Sequence, residues 1–122
     1  MDEGKVLLVE DDESVRQVYC RLLTREGFSV IPAASGIEAT EIFEREAIDL
    51  VVSDIGMAGM SGVDLLKTLR RKDLDVPVIL MTGNPHVESA SRAVELGALR
   101  YLTKPVDVNE HERHQTTHRG AA

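Results

Sequence analysis

Residues 6–13 read Val-Leu-Leu-Val-Glu-Asp-Asp-Glu, an apolar run of four that stops abruptly in four carboxylates. The run is too short for a typical helix and shows no alternation, which is the pattern of a strand covered on both faces. A helical period takes over at once. Val15, Val18, Tyr19, Leu22 and Leu23 fall at i, i+3, i+4, i+7 and i+8 as an inner stripe, and Gly27 supplies the stop. A buried strand feeding a helix through an acidic turn is one βα unit, and the rest of the chain repeats it. Further strands are predicted at 28–31, 50–53, 78–81 and 100–102, with helical stretches between them. Five such units read as an α/β fold, repeated βα units around a parallel sheet whose strands are covered on both faces.

The helices carry their own start signals. Ser35-Gly36-Ile37-Glu38 has the capping-box spacing, and Ser61-Gly62-Val63-Asp64 repeats it with Asp for Glu. For the fourth helix the sequence predicts Asn84 as the cap, Pro85 at the first helical position, Val87, Ala90 and Val94 as the inner stripe, and Gly97 as the end. A fifth should follow Pro105, yet no apolar residue occurs between Val108 and Ala121. The fifth helix is therefore expected to be atypical or missing, with the domain at 1–108 and a weakly structured, polar, His-containing tail at 109–122. An uncovered sheet face near Val6 and Leu8 would then invite self-association. His111, His114 and His118 have i, i+3, i+7 spacing, but without an apolar face to hold a helix they read as a solvated tail.

Composition narrows the function classes. At 122 residues the chain has the size of one domain, and no apolar run approaches the roughly 20 residues needed to cross a bilayer, so no membrane role is expected. The first residues lack a signal-peptide pattern and Cys20 is the only cysteine, which points to the cytoplasm. Fourteen Lys and Arg against 21 Asp and Glu leave a net charge of −7, which argues against direct nucleic-acid binding and for cations or proteins as partners.

In an open parallel sheet, ligands bind outside the carboxyl ends of the strands, where strand order reverses. Glu10, Asp11, Asp12 and Glu13 follow the first strand, Asp54 the third, Thr82 the fourth and Lys104 the fifth. The acidic run alone could simply complement the amino end of a helix. With Asp54 added, two carboxylates about 5 Å apart at an effective dielectric of about 20 repel by roughly 3 kcal/mol, and something must offset that. Mg²⁺ does so with one or two carboxylates, several waters and space for a phosphate oxygen. Asp54, alone at a strand end before Ile55-Gly56-Met57-Ala58-Gly59, is the candidate nucleophile, while adjacent Asp11 and Asp12 are the candidate metal ligands. Lys104 supplies a point charge and Thr82 a hydroxyl for a phosphoryl oxygen, unless that hydroxyl merely bonds its own loop.

Taken together, VLLVEDD (6–12), VVSDIGMAGMSG (51–62), VILMTGN (78–84) and GALRYLTKPV (97–106) resemble the response-regulator receiver family over residues 4 to about 108. The resemblance implies a doubly wound, flavodoxin-like, five-stranded parallel sheet of order 2-1-3-4-5 with helices on both faces. It implies that Asp54 accepts a phosphoryl group from a phosphohistidine on a sensor histidine kinase or histidine phosphotransfer protein. Asp11, Asp12, Asp54 and the Gly56 carbonyl would surround Mg²⁺, Lys104 would pair with the phosphate, and the Lys104-Pro105 bond would be cis. Thr82 and Tyr101 would form a switch that changes contacts with a downstream effector. Such a protein is a signalling receiver that catalyses only its own phosphorylation and dephosphorylation. Ala58 stands where many relatives have Pro, so a looser loop is expected after Asp54. Three other readings fit less well. A haloacid-dehalogenase-like Mg-dependent phosphatase wants a second Asp where Gly56 stands, and a flavin carrier would be repelled by Glu10 to Glu13. An unphosphorylated interaction module leaves the filled acceptor-site positions unexplained.

Overall fold

The computed structural model describes residues 4–105. Strands β1 (Lys5–Val9), β2 (Ser29–Ala33), β3 (Leu50–Asp54), β4 (Val78–Thr82) and β5 (Arg100–Thr103) alternate with helices α1 (Glu13–Arg25), α2 (Gly36–Arg45), α3 (Gly62–Lys72) and α4 (Val87–Glu95). All strand pairs are parallel, in the order β2-β1-β3-β4-β5. The doubly wound sheet expected from the sequence is the fold observed.

The unalternating β1 lies inside the sheet, between β2 and β3, and its two faces go to different layers. Leu7 and Val9 pack with Ala39 and Ile42 of α2, Leu65, Leu66 and Leu69 of α3, and Ala93 of α4. Val6 and Leu8 face Tyr19 and Leu23 of α1. Both are wholly buried, so neither position itself is open. The chain leaves β1 for β2 on one side and returns to β3 on the other, which creates a crevice at the carboxyl ends of β1 and β3.

Local chemistry fixes the helix ends. The Ser35 hydroxyl accepts from the Glu38 N–H, and Ser61 and Asp64 form a reciprocal capping box. Gly27 and Gly97 have positive φ just beyond α1 and α4, where a side chain would be strained.

Two stripes differ from expectation. Val18 of α1 is exposed. In α4, Val87 and Val94 are 84% and 78% exposed, and Ala93 is the buried residue. The helix also starts later than Asn84-Pro85 suggested, with His86 as an N-cap that makes no side-chain cap bond. Asn84 N–H donates to Thr82 Oγ1 and His86 N–H to the Tyr101 hydroxyl, and these bonds hold 83–86 in the turn between β4 and α4. The tail at 109–122 and the expected fifth helix lie outside the described residues.

Candidate functional site

β1 does not release the chain at Val9. Glu10 N–H donates to the Ala33 carbonyl, so the strand direction runs one residue further and places the Glu10 side chain, 1% exposed, at the crevice. Asp54 closes β3 and is 5% exposed. One carboxylate oxygen each from Glu10, Asp11 and Asp54 lie within 4.8 Å of one another. Into this group β5 delivers Lys104, whose ammonium donates to Glu10 Oε1 at 2.8 Å and lies 2.9 Å from Asp54 Oδ1. The Lys104-Pro105 peptide bond is cis.

Asp12, expected as a ligand, stands outside this group. Its carboxylate caps α1 by accepting from the Val15 N–H at 3.1 Å, and Glu10 takes the place expected for it. The physical reason is the strand-to-helix transition. Glu10 still follows the strand, Asp11 is the turn, and by Asp12 the chain needs an oxygen for the orphan amides of a new helix. Asp11 remains exposed, and its carboxylate meets the Ala58 N–H at 3.4 Å across the crevice.

The loop after Asp54 is anchored at its far end by Gly62. A Cβ there would collide with the Asp54 carbonyl oxygen and lie 2.8 Å from the Ile55 Cα, so only glycine lets α3 press on the end of β3. Gly62 N–H and Met57 N–H both donate to the Ile55 carbonyl. Gly56 is exposed two residues beyond Asp54.

Thr82 ends β4 next to β3, 5% exposed, with its hydroxyl oxygen engaged by Asn84 N–H. Tyr101 is half-buried against the core beneath α4. Its hydroxyl lies 2.7 Å from Ser89 Oγ and accepts from His86 N–H, which ties β5 to the start of α4.

Burial is the largest influence on Glu10 and pushes its carboxyl above the usual range, with Asp54 adding to it, against hydrogen bonds from Lys104 and the Asp12 N–H. Burial also works against the Lys104 charge. Its bonds to Glu10 and Asp54 outweigh that, and the ammonium is held above its ordinary range. The site is thus three carboxylates around one cation, an arrangement of hard oxygen donors with an excess of negative charge.

Comparison with known proteins agrees with this geometry. The family model for the response regulator receiver domain matches residues 6–114. Sporulation initiation phosphotransferase F of Bacillus subtilis is 34% identical over 110 residues, covering 90% of this chain and 89% of that protein. The DNA-binding transcriptional regulator NtrC of Klebsiella pneumoniae is 38% identical over 110 residues, again 90% of this chain but 24% of its own length. The chain spans about a quarter of the longer transcriptional regulators it matches. A CheY-like response regulator receiver domain protein from Methanospirillum hungatei superposes with a TM-score of 0.87 at 26% identity, covering 95% of this chain and 93% of that one. With sequence and fold in agreement over most of its length, the chain belongs to the receiver domains of two-component response regulators.

Proposed function

We propose that the chain is a Mg²⁺-dependent phosphoacceptor. Asp54 takes a phosphoryl group from a phosphohistidine of a sensor histidine kinase or histidine phosphotransfer protein. The observation that carries this reading is the Lys104 ammonium bridging Glu10 and Asp54, with the Asp11 carboxylate in the same group of oxygens. The donors fit a small hard cation, with Glu10 or Asp11, Asp54 and the Gly56 carbonyl as ligands in place of the Asp11 and Asp12 pair. Mg²⁺ would supply charge neutralisation of the phosphoryl oxygens. An Asp54 carboxylate oxygen attacks phosphorus, the P–N bond to the imidazole breaks with its electron pair leaving on nitrogen, and an acyl phosphate forms. Lys104 stabilises charge on the transferred group. Thr82 exchanges its bond with Asn84 N–H for one to a phosphoryl oxygen, and the loop it releases frees Tyr101 from the start of α4.

The B. subtilis relative is named as a phosphotransferase, which supports a relay role. DNA binding is the named property of the longer relative, whereas the −7 charge of this chain favours a protein effector as its own contact. Acetyl phosphate with Mg²⁺ tests the reading. Intact mass is expected to rise by one phosphoryl group in the parent and not in Asp54→Asn or in excess chelator. Equal labelling of Asp54→Asn would overturn the assignment.

A further inference from the structure

We propose that Arg16, on the first turns of α1, is a positioning residue for the cation site, acting through the backbone of Glu10. The inference rests on the reading above that this site binds a divalent cation. Glu10 is 1% exposed and lies beyond the last paired residue of β1, so its carbonyl oxygen has left the sheet ladder but not the interior. A buried carbonyl without a donor is costly. Arg16 reaches back from the helix and donates from Nη1 to that oxygen at 2.8 Å. The other three points of the turn are also held: Glu10 N–H by the Ala33 carbonyl, Glu10 Oε2 by the Asp12 N–H at 3.2 Å, and Asp12 Oδ1 by the Val15 N–H.

The Arg16 bond fixes the plane of the Glu10–Asp11 peptide. That plane sets where the Asp11 side chain leaves the backbone. Asp11 is the one exposed member of the acidic group, with a single long contact of its own at Ala58 N–H, so its direction depends on the peptide that carries it. Without the guanidinium, the Glu10 carbonyl would turn toward water and the Asp11 carboxylate would turn with it.

Charge and position make opposite predictions, and this gives the test. Removing a positive side chain near three carboxylates should tighten cation binding if Arg16 acts only through its charge. Loss of a positioning bond should weaken it. The full chain and its Arg16→Met variant, which keeps the aliphatic stem, are titrated with Mg²⁺ by amide chemical shifts. Hydrogen exchange of the Asp11 and Asp12 amides is followed in metal-free buffer. The expected result is about tenfold weaker Mg²⁺ binding in Arg16→Met, in the range seen when groups that orient metal ligands are removed, with faster exchange at both amides and partial recovery in Arg16→Lys. Equal or tighter binding in Arg16→Met overturns the proposal and leaves the cation site standing. A parent that shows no saturable Mg²⁺ response overturns both the proposal and the site reading. If Arg16→Met does not fold, Arg16→Gln takes its place: it removes the charge and shortens the reach to the Glu10 carbonyl, and binding as tight as the parent or tighter would overturn the proposal.

Discussion

The two ends of the sheet solve opposite problems. At the amino end, Arg70 of α3 donates to the carbonyls of Leu96 and Gly97 after α4 and of Asp73 and Val76 before β4, so one cation closes two loops entirely on neutral acceptors. Nearby, Lys5 pairs with Glu46, and its N–H donates to Asp49. At the carboxyl end, Lys104 faces two carboxylates directly and a third stands close by. One end spends its charges on holding the chain. The other keeps more negative charge than its own residues neutralise, which is stability forgone and, on the function proposed above, the place for a cation and then a phosphoryl group.

Breaking the amino end should give the largest loss. Arg70→Ala leaves four carbonyls to find water and is expected to destabilise the fold by about 2 kcal/mol, read from the urea midpoint, with Arg70→Lys recovering part because a point charge cannot fork between two loops. An unchanged midpoint in Arg70→Ala would erase the contrast between the two ends.

At the carboxyl end the sign should invert. Asp11→Asn removes one repelling carboxylate and keeps an oxygen that can accept from Ala58 N–H, so in metal-free buffer its melting temperature is expected to rise by about 2–4 °C, while the rise that Mg²⁺ gives the parent disappears. A fall in metal-free stability would mean that Asp11 holds structure rather than a ligand.

The smallest effect lies at high pH. The Lys104 ammonium has a folded-state pKa above its ordinary 10.5, so its contribution is fully present below that value and is lost as pH rises through the folded pKa. Alkaline unfolding of the parent should therefore steepen above about pH 10.5, and Lys104→Met should lack that limb. Parallel alkaline curves for the two proteins would show that the pair contributes nothing to stability.

The sheet was legible because β1 is buried on both faces and two of the helices announce their starts with Ser35 and Ser61. The α4 stripe was not: alanine carries little weight in a hydrophobic pattern, and Ala93 faces the core while the more apolar Val87 and Val94 face water. At the site, Asp54 and Lys104 stood out from their strand-end positions and do meet in space. The acidic pair was read one residue too late. Asp12 is followed three residues on by the first apolar position of α1, a cap signature that could have identified it, and Glu10 is then the carboxylate still carried by the strand. Arg16 and Arg70 carried no signal, because both act on backbone carbonyls that come within their reach only after folding.

The measurement that bears most directly on this account is a Mg²⁺ titration followed at every amide. Charge held in excess at one end of the sheet predicts saturable shifts at residues 10–12, 54–58, 82–84 and 104, with residues 73–76 and 96–98 around Arg70 unmoved. No saturable response, or shifts as large around Arg70 as around Asp54, would contradict it.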